Sequence, residues 1–490
     1  MPLKNKVQLI TYPDSLGGSL SRLDELLDKY FVDIFSGGIH ILPPYPSSGD
    51  RGFAPLSYFE IDPRFGSWED IHRISERFDI MLDLMVNHIS RQSPYFLDFQ
   101  QRGRRSEYAD LFITLDKVWA DGVVPAEDLA RIFLRRPEHP FADIQILETG
   151  KTERVWATFG TRDWSEQIDL DVNSPAAQKL FREILLHMSR NGVRLLRLDA
   201  VAYTVKKPGT SCFFVEPEIY IFMNWFKGEA ASLGIELLPE VHAHPSIQSR
   251  LSEHGFWVYN FILPLLVLHT LESRSSLPLQ QHLQNCPRRQ FTMLDCHDGI
   301  PVLPDIEGIL EVEQAEKLVE VCTQRGANLS RIYSPSFRQG ERFDAHQINC
   351  TYYSALEKDE QAYIAARAIQ LFSPGVPQVY YVGLLAGEND QAGVELSGEK
   401  RAINRRNFSI AEVEQALHKP VVQRLLELIR FRNEYPAFNG RFQVVDTSEE
   451  LLVLAWHDGS HECLLKVDLN SRRSVITYRD GEGRVRYFKP

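Results

Sequence analysis

Three short segments place carboxylates behind apolar runs: Arg197-Leu-Asp199-Ala, Leu238-Pro-Glu240-Val-His242 and Leu294-Asp295-Cys296-His297-Asp298. Each run has the continuous apolar texture of a buried strand rather than the alternation of a half-exposed one. If the three strands lie parallel, their acids gather at one end of a sheet. Two carboxyl groups facing each other across a sugar bond are the minimum equipment for breaking it. Arg197, two residues before Asp199, shares its side of the strand and is expected to lower the pKa of a nucleophilic carboxylate. A general acid must instead begin protonated, so Glu240 is expected in drier surroundings.

Eight apolar runs stand in order as candidate strands: Val7–Tyr12, Gly38–Pro43, Ile80–Asn87, Val193–Asp199, Glu236–Val241, Val258–Phe261, Phe291–Asp295 and Val376–Val382. Most precede a stretch of helical periodicity, such as the one opened by Ser174 as cap and Pro175 in the first turn. Strand and helix alternating eight times predict an α/β fold, a (β/α)8 TIM barrel. Two excursions interrupt the alternation after the third and seventh strands, the side on which such barrels build their sites. Beyond the helix at Pro420–Tyr435, short alternating runs separated by Asp-Gly, Asn-Ser and Gly-Glu-Gly turns predict an antiparallel β-domain. The expected domains are thus the barrel (1–85, 174–298 and 359–436), insertion domains 86–173 and 299–358, and a C-terminal β-domain 437–490.

A chain of 490 residues is long enough for such a barrel with a companion domain, and its 43% hydrophobic content is that of a globular protein. A net charge of −12 argues against nucleic-acid binding, which needs a basic face. The amino terminus shows no signal-peptide h-region, and the longest apolar stretch, Phe261–Leu268, is too short to span a bilayer. Cys212, Cys286, Cys296, Cys322, Cys350 and Cys463 are scattered without Cys-x-x-Cys spacing, as expected of free thiols in a cytoplasmic protein.

Five segments carry a resemblance to the α-amylase superfamily: Asp83-Leu-Met-Val-Asn-His88, Glu166-Gln-Ile-Asp169-Leu-Asp171, Gly192–Ala200, Leu238–His242 and Phe291–Asp298. Within it the chain resembles the sucrose phosphorylase branch at Lys4–Tyr12, Gly209-Thr-Ser-Cys212, Cys350–Ala355 and Pro374–Gly383. The resemblance implies Asp199 as nucleophile, Glu240 as acid/base and Asp298 as transition-state stabiliser of a retaining double displacement. It further implies His88 and His297 as glucose-hydroxyl ligands and Asp50 with Arg401 as a charged pair closing the glucose pocket. Phe53 and Tyr203 would line that pocket, and Arg197 would attend the nucleophile. Arg136 would contact phosphate. Phe343-Asp344-Ala345-His346-Gln347 would form a mobile acceptor loop. His242 and Asp295 are read as supporting residues.

Two positions depart from the pattern of branch members acting on plain sucrose. Arg135 stands where they carry Pro, and His346 where they carry Tyr. Relatives acting on sucrose 6F-phosphate look similar at both, and cationic or polar groups suit a phosphorylated leaving sugar. The implied partners are sucrose or sucrose 6F-phosphate and inorganic phosphate, with no nucleic acid or membrane, in a monomer or homodimer. No cofactor is implied, and no acidic cluster in the sequence suggests a metal. Phosphorylases of glucosylglycerol or glucosylglycerate, a hydrolase or transglucosidase of the same fold, and a non-catalytic binding barrel are the competing readings. The three retained acids weigh against the last.

Overall fold

The computed structural model describes residues 3–160, 166–333 and 343–490. Its main sheet has eight parallel strands: β1 Gln8–Thr11, β2 Gly38–Ile41, β3 Ile80–Met85, β4 Val193–Asp199, β5 Glu236–Pro239, β6 Val258–Tyr259, β7 Gln290–Thr292 and β8 Val376–Tyr380. The spatial order β6-β7-β8-β1-β2-β3-β4-β5 is the cyclic order of a (β/α)8 barrel. β1, β2, β3, β7 and β8 are buried at every position, which is why their sequences run apolar without alternation.

Several strands stop earlier than their apolar runs. β5 ends at Pro239, and the Glu240 N–H still donates to the Leu198 carbonyl of β4 at 3.0 Å, so Glu240 stands at the carboxyl edge of the sheet. β7 ends at Thr292, leaving Asp295, His297 and Asp298 on the following loop. Asp199 alone of the three acids closes its strand. The helix expected after the first insertion is α1, Pro175–Arg190, with Ser174 Oγ accepting from the Ala177 N–H at 3.1 Å.

The insertions contribute small antiparallel sheets. His88–Ser90 pairs with Gln167–Asp169, and Phe141–Gln145 with Thr152–Trp156. Ala345–Asn349 is the middle strand of a three-stranded sheet, between Ile300–Pro301 and Asn328–Arg331. The segment expected as an acceptor loop is therefore strand at Ala345, His346 and Gln347, held by ladder bonds on both sides. At the carboxyl end, β9 Arg441–Val445, β10 Leu451–Asp458, β11 His461–Asp468, β12 Arg473–Arg479 and β13 Val485–Phe488 form a five-stranded antiparallel meander. No described helix is long and apolar enough to cross a membrane. All six cysteines are free thiols. The chain divides into two compact units, one of residues 3–40, 242–331 and 343–490, the other built on 41–241.

Candidate active site

In the unit built on 41–241, register brings four charged groups together. β3 and β4 pair so that Asp83 lies directly opposite Arg197 and Met85 opposite Asp199. Arg197 Nη1 donates to Asp83 Oδ1 at 2.5 Å and to Asp199 Oδ1 at 2.8 Å, while Nη2 lies 3.6 Å from Glu240 Oε1. One guanidinium thus meets Asp199, Glu240 and the wholly buried Asp83. Ala200 follows in the left-handed region (φ 54°, ψ 23°), a conformation that costs a non-glycine residue roughly 1–2 kcal/mol. That turn aims its N–H at Glu240 Oε2, 3.1 Å away.

Arg197 does not hold Asp199 low, contrary to expectation. Burial, with Glu240 and Asp83 adding to it, outweighs Arg197 and pushes the Asp199 carboxyl up to about 8.

Around this centre, Phe53 lies under Arg197 (5.7 Å from Cζ to ring centroid), and its carbonyl holds His88 Nε2 at 3.0 Å. His88 is buried and its pKa is lowered by that burial, so the ring is neutral. Its Nδ1 has no partner and offers a lone pair to a hydroxyl. Asp50 opens a tight turn in which both it and Arg51 have positive φ. Tyr203 is buried, pushed up to about 12 by burial, and accepts a hydrogen bond from Arg135. Arg135 also lies over the Phe159 ring at 5.9 Å. Arg136 is engaged differently: it is buried, with Nε on the His139 carbonyl at 2.7 Å and Nη2 on the Phe141 carbonyl. Those bonds fasten the insertion's own backbone.

In the other unit, Asp298 gathers two arginines and a histidine. Arg401 donates to its Oδ1, Arg405 Nη2 lies 3.6 Å from the same oxygen, and His297 Nε2 is 3.6 Å from Oδ2. Arg405 Nε also holds the His297 carbonyl, and Asn404 Nδ2 the Asp298 carbonyl, at 2.8 and 2.9 Å. His242 stacks on Phe261 (centroids 3.9 Å) with Nδ1 3.4 Å from Asp305, and meets His346 edge-on at 5.9 Å. His346 is buried and donates from Nδ1 to the Leu303 carbonyl at 2.7 Å. Ala345 and Gln347 are buried in the same strand, and Asp344 pairs with Arg331.

Sequence reading left out Asp83, Arg405, Phe159 and the buried pair Lys206–Asp169 (2.7 Å). A signal existed for two of them. Asp83 is a charge in the middle of an apolar strand, and Arg405 follows Arg401 by four residues.

A family model described as the alpha-amylase catalytic domain matches residues 13–226. A sucrose 6(F)-phosphate phosphorylase of Thermoanaerobacterium thermosaccharolyticum is 57% identical over 489 residues, covering all of both chains. A glucosylglycerol phosphorylase of Marinobacter adhaerens is 44% identical, again over both whole chains. The crystal structure of sucrose 6F-phosphate phosphorylase from Thermoanaerobacter thermosaccharolyticum superposes with a TM-score of 0.97 at 56% identity, covering 100% of this chain and 98% of that one.

Proposed function

The chain belongs to the α-amylase family, in its sucrose phosphorylase branch, and on that premise we propose that it phosphorolyses sucrose 6F-phosphate in preference to sucrose. The products are α-glucose 1-phosphate and fructose 6-phosphate, or fructose from the poorer substrate. Glu240 protonates the departing fructosyl oxygen while Asp199 attacks the anomeric carbon, giving a β-glucosyl ester. Glu240 then takes the proton of the incoming phosphate, whose oxygen displaces Asp199 and restores the α configuration. Asp298 hydrogen-bonds the ring hydroxyls as positive charge develops, with Arg401, Arg405 and His297 holding it in place.

The observation that carries the reaction class is the sharing of Arg197 by Asp199 and Glu240. Both carboxyls lie on one guanidinium, which brings the candidate acid and the candidate nucleophile to one point. The leaving-group preference rests on Arg135, whose guanidinium stands on the Tyr203 hydroxyl as a charged donor for a phosphate. The 44% identity to a glucosylglycerol phosphorylase supports a second reading, with glycerol in place of the fructosyl group.

One assay separates these. Sucrose 6F-phosphate, sucrose and glucosylglycerol are each incubated with and without inorganic phosphate, and glucose 1-phosphate is measured. Phosphate-dependent product, fastest from the phosphorylated sugar, is expected; glucose release at the same rate without phosphate overturns the proposal. Arg135→Pro and His346→Tyr should each lower kcat/KM for sucrose 6F-phosphate about tenfold more than for sucrose, the loss of one charge-assisted hydrogen bond. Equal losses on both sugars would remove the leaving-group assignment.

A further inference from the structure

A cavity of about 330 Å³ lies among the helix Pro245–Glu253, β6 and the helix Leu277–Asn285. That is within the size range of small-molecule sites, ~300–1,000 Å³. Among the described residues no lysine or arginine lines it, and the one acidic residue there, Asp305, already meets His242 Nδ1. His282 adds no charge, because burial pushes its pKa down to about 4. Its Nε2–H donates to Asn260 Oδ1 at 2.8 Å, which fixes the amide of a residue only 4% exposed. Asn260 Nδ2 is then left without an acceptor in a wall of the cavity. A buried unpaired N–H is costly, and a ligand oxygen would satisfy it. Ser246, Ser249, Gln281 and Asn285 add hydroxyls and carboxamides to the lining, and Tyr259 and Phe261 add aromatic side chains.

We propose that this cavity binds a neutral polyol or monosaccharide. A phosphate would find no cation there, and an apolar ligand would leave Asn260 Nδ2 unpaired. Hydroxyls meet the carboxamides, and the carbon skeleton lies against the aromatic rings, the division of labour such small polar ligands require. Phe261 and Asp305 are shared walls: each also holds His242, by the ring stack and by Nδ1 respectively. An occupant therefore braces His242, two residues beyond Glu240.

The test is calorimetric titration with xylitol of the Asp199→Ala chain, which cannot transfer glucose, with and without saturating glucose 1-phosphate. One xylitol per chain at millimolar affinity, retained with glucose 1-phosphate present, is expected. Asn260→Leu and Ser249→Phe, added singly, should each weaken it at least about tenfold. Ser249 is half-buried at the wall, so its phenylalanine fills the cavity even if Asn260→Leu fails to fold. No saturable binding, binding abolished by glucose 1-phosphate, or affinity unaltered in Ser249→Phe each overturns the proposal.

Discussion

Two buried arginine–aspartate groups in this protein have opposite stoichiometries. Arg367 is completely buried and serves one carboxylate: Nη2 donates to Asp295 Oδ2 at 2.7 Å, and the other donors reach the Tyr363 hydroxyl and Gln370 Oε1. Gly383 fits over this pair because it lacks a side chain; a Cβ there would stand 2.0 Å from Arg367 Nη2 and 2.1 Å from Asp295 Oδ2. Arg197 is buried almost as deeply but is divided among Asp83, Asp199 and Glu240. Burial raises both Asp295 and Asp199. What separates them is the count of charges. Asp295 is the one carboxylate on Arg367, whereas Asp199 shares Arg197 with two others, and burial together with those neighbours raises its proton affinity.

The largest effect should come from removing the reactive acid. Asp199→Ala is expected to lower kcat for glucose 1-phosphate formation by about 10⁴-fold or more, with the fold intact by circular dichroism. Because Asp199 rises from its ordinary 3.8 to about 8, the native chain holds a proton there that the unfolded chain releases. That contribution to stability is present below pH 4 and is lost as pH climbs through 8. The melting temperature of Asp199→Ala relative to wild type should therefore increase from pH 4 to pH 8; a pH-independent difference would break the comparison.

Arg367→Met is the matching test of the other group. It leaves Asp295 buried without a cation and should cost about 3–5 kcal/mol in urea unfolding, while the remaining folded enzyme keeps its pH profile. Asp83→Asn sharpens the distinction further. It removes one of the anions that raise Asp199, so the alkaline limb of kcat/KM, expected near 8, should move down by about one pH unit. A limb that stays in place would mean that Asp83 does not share the proton. The smallest change is expected from Tyr363→Phe. That removes a hydroxyl bonded to Arg367 and to the Gly383 carbonyl, and should cost about 1–3 kcal/mol with kcat unaltered.

Much of this architecture is local information. Continuous apolar runs announced all eight barrel strands, because strands covered on both faces require them. Asp-Gly and Asn-Ser turns announced the β9–β13 meander, and Ser174-Pro175 the start of α1. The residue types of the candidate acids were equally plain in Asp199, Glu240 and Asp298. Strand ends were less so: β5 closes at Pro239 and β7 at Thr292, short of apolar runs that continue to Val241 and Asp295.

By itself, then, the chain's order of residues determined the barrel, its insertions and the acids at its strand ends, all of which follow from short-range periodicity and turn chemistry. Only the tertiary structure decided which charges share a partner. Asp83 and Arg197 are 114 residues apart and meet through the register of β3 on β4. Asp199's proton affinity depends on that meeting and on exclusion of water. Coulomb energies vary with distance and surroundings, and neither is written in sequence spacing.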